Sequence, residues 1–90
     1  AGGGVASITV NGTATAAGQT FAAYANTLTT IGVTITGGAG ESFIVGSNQA
    51  DTITGGAGND TINGGSGADV ITGGAGDDSI TYQSAATSIY

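Results

Sequence analysis

The sequence predicts an all-β fold, a parallel β-solenoid, and three observations carry that prediction. Residues 37–81 divide into five consecutive nines: GGAGESFIV, GSNQADTIT, GGAGNDTIN, GGSGADVIT and GGAGDDSIT. A glycine leads each unit and an isoleucine always stands eighth; with Ile35 and Ile89 on the same spacing, seven isoleucines recur nine residues apart. All six carboxylates, Glu41, Asp51, Asp60, Asp69, Asp77 and Asp78, fall inside this block, and the sixth position of a unit is usually one of them. A fixed period of this kind marks a repeat architecture.

Each unit has two parts. Its first six residues are rich in glycine and usually end in aspartate, which suits tight turns with positive φ. Its last three, FIV, TIT, TIN, VIT and SIT, are short and β-prone. Side chains alternate faces along a strand, so the isoleucine points one way and its neighbours the other. A turn, a strand, a turn and a strand then close one coil from two units. Stacked coils build two parallel sheets with the isoleucines meeting between them. One sheet carries Ile35, Ile53, Ile71 and Ile89, and the other Ile44, Ile62 and Ile80. The turns likewise form two stacks, residues 37–42, 55–60 and 73–78 on one edge and residues 46–51 and 64–69 on the other.

This stacking sets Asp60 beside Asp78 and Asp51 beside Asp69. Like charges one coil apart repel, and the chain has no lysine, arginine or histidine to offset them. A hard divalent cation held by oxygens answers both problems. Ca²⁺ fits best, because it accepts six to eight carboxylate and carbonyl oxygens in irregular geometry, whereas Mg²⁺ demands a stricter octahedron. Zinc lacks its cysteine and histidine ligands here. The candidate carboxylate ligands are Asp51, Asp60, Asp69 and Asp78, with Asp77 beside the last. Candidate carbonyl donors are the turn glycines Gly55, Gly56, Gly58, Gly64, Gly65, Gly67, Gly73, Gly74 and Gly76.

The pattern resembles the repeats-in-toxin (RTX) nonapeptide GGxGxDxUx, in which U is a large aliphatic residue. The resemblance covers 45 of the 90 residues, and the units starting at Gly55, Gly64 and Gly73 match every defined position. It implies a calcium-loaded parallel β-roll, extracellular residence and export by a type I secretion system. The family's ligands carry over to Asp60, Asp69 and Asp78, and also to Asp51, whose turn GSNQAD keeps only the first glycine. In the first unit Ser42 replaces the aspartate and Glu41 stands one position early.

Composition excludes several functions. The formal charge is −6 with no basic residue, so phosphate contacts to nucleic acid and attraction to anionic membranes are both missing. No apolar run reaches transmembrane length. No GxGxxG, P-loop lysine or EF-hand loop is present. Serine and threonine have no histidine or lysine to act as base, and Asp77–Asp78 belongs to a repeat turn rather than to a catalytic pair, so no enzyme is expected. The core is a single file of isoleucines set against nineteen glycines, the residues that lose most backbone freedom on folding. The repeat block is therefore expected to be largely disordered without calcium and to fold on binding it.

Three segments are expected: a hairpin or mixed cap, or an assembly segment that meets the next molecule, over residues 1–36, the roll over 37–81, and a terminal strand over 82–90. Residues 5–10 (VASITV) read as a strand, Asn11-Gly12 as a type I′ hairpin turn, and residues 13–17 as the return strand. Residues 19–28 are open between a short helix and a strand, because Phe21, Tyr24, Ala25 and Leu28 fall at helical spacing amid strand-forming threonines. Residues 33–36 form the strand entering the first coil.

The leading functional expectation is a secreted structural protein that binds Ca²⁺, folds outside the cell and self-associates into a filament or surface layer. Its abundant Ala, Thr and Gly without lysine resemble bacterial surface-layer proteins carrying these repeats. The alternative is a calcium-folding module of a larger secreted enzyme or adhesin. A lesser alternative is ice binding, from the Thr34/Thr36, Thr52/Thr54, Val70/Thr72 ladder.

Overall fold

A computed structural model describes residues 7–12, 18, 20–25, 31–83 and 87–90. Among these residues the chain forms nine strands and no helix. They are β1 (Ser7–Asn11), β2 (Thr20–Tyr24), β3 (Gly32–Thr36), β4 (Glu41–Val45), β5 (Thr52–Thr54), β6 (Thr61–Asn63), β7 (Val70–Thr72), β8 (Ser79–Thr81) and β9 (Ser88–Ile89). Successive strands alternate between two sheets, of order β1-β3-β5-β7-β9 and β2-β4-β6-β8. Every pairing is parallel. The molecule is a β-solenoid, the β-roll expected from the nine-residue period.

Register explains the core. Ile35 pairs with Ile53, Ile53 with Ile71 and Ile71 with Ile89 in one sheet. In the other, Ile44 pairs with Ile62 and Ile62 with Ile80. Ile35, Ile44, Ile53, Ile62 and Ile71 are fully buried, with Val33 and Ala25 completing the cluster. The columns lose cover at the C-terminal end, where Ile80 is half-buried and Ile89 is 42% exposed.

The N-terminal expectations need correction. Asn11-Gly12 is not a type I′ turn, because neither residue has positive φ; β1 runs parallel to β3, and the Gly12 N–H donates to the Thr36 carbonyl at 2.6 Å. The proposed return strand, residues 13–17, lies outside the described residues. A parallel β1 sets Val10 on Ile35 and continues the core column. Residues 20–24, left open between helix and strand, are strand β2. Its inward Phe21 and Ala23 are half-buried, whereas Thr20, Ala22 and Tyr24 face out. Ala23 pairs with Ile44, so β1 and β2 add a rung to each sheet. At the other end, β9 lies beside β7 and adds a short strand to that sheet.

Candidate metal centre

The glycine-rich segments connect one sheet to the other along the two edges of the roll. Asp51, Asp60 and Asp69 are at most 2% exposed. Their Oδ1 atoms form a ladder between coils. The Val33 N–H donates to Asp51 Oδ1 at 2.9 Å, Ser42 to Asp60 at 2.9 Å, Asp51 to Asp69 at 2.9 Å and Asp60 to Asp78 at 3.0 Å. Each bond spans eighteen residues. Half of each carboxylate thus clips its coil to the preceding one, a role that the sequence reading did not foresee.

The three glycines of a complete turn answer two different demands. Gly56 and Gly58 have φ of +94° and +86°, a region that costs an L-residue roughly 1–2 kcal/mol. Gly65, Gly67, Gly74 and Gly76 repeat this conformation. The leading glycine is needed for space. A Cβ on Gly55 would lie 2.4 Å from Asp60 Oδ2 and 2.7 Å from the Gly73 carbonyl oxygen. Gly64 stands in the same relation to Asp69 Oδ2 at 2.5 Å, and Gly73 to Asp78 Oδ2 at 2.4 Å.

The second carboxylate oxygen defines the site. Asp60 Oδ2 and Asp69 Oδ2 are buried without a hydrogen-bond partner, and the sequence holds no basic side chain. Burial pushes the Asp69 carboxyl up to about 6, against the Asp51 N–H, which favours the anion, and helped by the neighbouring Asp51 charge. Asp60 is raised for the same leading reason, burial, opposed by the Ser42 N–H and reinforced by Asp78. A buried carboxylate oxygen with no donor is an attachment point for a cation. The donors on hand are all oxygens, which suits a hard ion. Among the described residues no three Asp, Glu, His or Cys side chains cluster for a metal, so backbone carbonyls must supply most of the shell. Ca²⁺ tolerates such a shell.

The remaining candidates divide. Asp78, in the outermost complete turn, is half-buried and keeps its place in the ladder. Asp77 is exposed, and its N–H donates to Asn59 Oδ1 at 2.8 Å. Asp51 stands in the ladder, but Ser47 of its own turn occupies both its oxygens: N–H to Oδ2 at 2.8 Å and hydroxyl to Oδ1 at 2.6 Å. Sequence reasoning missed Ser47. It also missed Thr87, whose Oγ1 accepts the Asp69 N–H at 3.4 Å and so ends the ladder without a charge. Spacing could have found Thr87, which stands eighteen residues after Asp69, as Ser42 stands eighteen before Asp60.

Stacked glycine–aspartate turns with unpartnered buried oxygens, on a parallel roll with an isoleucine core, define a calcium-binding β-solenoid. The RTX calcium-binding nonapeptide repeat, as a unit of four copies, matches residues 34–62 and again 54–82. The matches together span more than half of the chain, and the chain belongs to that family, whose repeats bind Ca²⁺. No curated protein and no solved structure matches it.

Proposed function

We propose that this chain is a secreted structural protein whose roll folds on Ca²⁺ and then self-associates, with no catalytic role. The observation that carries the calcium step is the pair of buried, unpartnered oxygens, Asp60 Oδ2 and Asp69 Oδ2, in a chain without a basic residue. Ca²⁺ bound there supplies the missing positive charge. The protein's own residues do the rest. The positive-φ glycines shape the turns, Oδ1 of each aspartate holds the preceding coil, and the isoleucine columns exclude water between the sheets. At low calcium the buried charges oppose closure, which keeps the chain open for export by a type I route. At external calcium, in the range of roughly 10⁻⁴–10⁻³ M typical of extracellular modules, the roll closes.

Self-association is supported by the ends of the roll. Among the described residues, β1 and β9 are the edges of one sheet and β2 and β8 of the other, and the C-terminal end exposes Tyr82, Ile89 and Tyr90. Open strand edges are templates for further pairing. Sedimentation and electron microscopy with calcium and with chelator test both steps. Calcium-dependent β signal followed by filaments or sheets supports the reading. A calcium-folded monomer at high concentration overturns self-association and leaves the module of a larger secreted protein. Full β signal in chelator overturns the calcium step.

A second reading rests on one face. Register aligns Thr9, Thr34, Thr52, Val70 and Ser88 in one outward file, and Asn11, Thr36, Thr54 and Thr72 in the next. This ladder supports ice binding, and a thermal-hysteresis measurement showing no activity removes it.

A further inference from the structure

The turn over residues 46–51 departs from the other turns in a way that changes what it can bind. Gly46 leads it and Asp51 closes it, but Ser47 and Gln49 stand where complete turns have their two positive-φ glycines. Neither has positive φ. In that conformation the Ser47 N–H meets Asp51 Oδ2 at 2.8 Å, and its hydroxyl donates to Asp51 Oδ1 at 2.6 Å. The hydroxyl oxygen in turn accepts the Gln49 N–H at 3.1 Å. Ser47 is 0% exposed, so its two bonds to Asp51 are shielded from water. The Val33 N–H adds the inter-coil bond to Oδ1. Asp51 is thus a buried carboxylate with three protein donors, whereas Asp60 and Asp69 each keep a buried oxygen with none.

We infer that Ser47 takes the place of a calcium ion, so that the 46–51 turn closes on its own donors and binds no metal, and calcium loading is confined to the turns from residue 55 onward. A carboxylate is satisfied either by a cation or by enough hydrogen bonds to its charged form. Ser47 supplies two such donors from one residue, and a glycine at positive φ turns its amide elsewhere and has no hydroxyl. The first coils are then held without metal, and they present a preformed edge on which the calcium-dependent coils close. This inference rests on the calcium reading above, and its test separates the two.

The test measures calcium stoichiometry by calorimetry on the full chain, for wild type, Ser47→Gly/Gln49→Gly and Ser47→Ala. Hydrogen exchange in chelator is followed in parallel. The expected results are one additional ion per chain for the double glycine variant and an unchanged stoichiometry for Ser47→Ala. In chelator, the Ser47 and Val33 amides of wild type are expected to stay protected, and to exchange at least tenfold faster in Ser47→Ala. Equal stoichiometry in wild type and the double variant, with wild type binding calcium, overturns the inference alone. So does unchanged exchange at both amides in Ser47→Ala, which needs no glycine variant to fold. A wild type that binds no calcium overturns the calcium reading and this inference with it.

Discussion

Gly55→Ala tests whether the leading glycine of a turn serves space rather than flexibility. Gly55 lacks positive φ, so the substitution brings no left-handed strain and its whole cost is steric. The new methyl would stand 2.4 Å from Asp60 Oδ2 and 2.7 Å from the Gly73 carbonyl oxygen of the next coil, against an ordinary contact of about 3.5 Å. Asp60 cannot retreat without straining its bond from the Ser42 N–H, a charged hydrogen bond of about 1.5–3 kcal/mol. Gly73 cannot retreat without parting two coils. Overpacking a filled site costs roughly 1–3 kcal/mol, so the sum is about 2.5–6 kcal/mol. At about 1.4 kcal/mol per decade, the lower figure raises the calcium midpoint roughly 60-fold if one ion drives folding. It is about eightfold if two ions bind in one step. The assay is a calcium titration followed by circular dichroism, with Ala57→Ser as control. Ala57 is exposed, and Ser66 stands at its place in the next turn, so the control should stay within about twofold of wild type, as for an ordinary surface substitution. A Gly55→Ala protein that titrates with wild type would refute the steric account of the repeat's first glycine.

Three further outcomes are expected. Ile53→Ala, in the middle of its column and fully buried, should cost about 2–5 kcal/mol, whereas Ile89→Ala at the open end should cost well under half as much; denaturation in saturating calcium compares them, and equal losses would contradict the column. In chelator, acid should favour the roll. The folded Asp69 carboxyl lies at about 6, above the unfolded value of about 3.9. Stability from its protonation is therefore full below about pH 4 and is lost as pH rises through 6. The β signal of wild type should grow from pH 7.5 to 5, and Asp69→Asn should flatten that dependence; a flat wild-type profile would refute it. With calcium the sign reverses, because protons compete for the same oxygens. Asp69→Asn should also weaken calcium binding at pH 7.5 by more than tenfold, measured by calorimetry, and unchanged affinity would remove Asp69 from the site.

The repeat was legible because two periods coincide in it. Isoleucine every nine residues and glycine at the head of each unit suffice to set Ile53 over Ile35 and under Ile71. The first rung was not legible, for a geometric reason. Val10 stands 25 residues before Ile35 and Ala23 stands 21 before Ile44, so longer connections break the period while the register continues. Phe21 and Ala23 obey strand alternation, but with Tyr24 and Ala25 in the window the same residues also satisfy a helical spacing. The Oδ1 ladder was invisible to composition, which counts carboxylates and cannot divide one oxygen from the other. Ser47 looked like a lost glycine because the repeat pattern specifies glycine at that position and gives no sign that a serine there donates to both oxygens of Asp51.

That division of the carboxylate also limits how a chain of net charge −6 could neutralise its buried oxygens with a side chain of its own turns. Oδ1 is committed to the backbone of the preceding coil, so any positive charge must reach Oδ2 inside the turn. A Cβ at Gly55, Gly64 or Gly73 already collides with that oxygen. At Gly56, Gly58, Gly65 and Gly67 the positive φ disfavours any L-side chain. A basic side chain from these positions therefore has no route to the buried oxygens, and a small mobile ion does. The same turns that exclude a built-in cation leave room for a dissolved one, and Ca²⁺ bound by the folded repeats stabilises them by mass action, so its concentration enters the folding free energy.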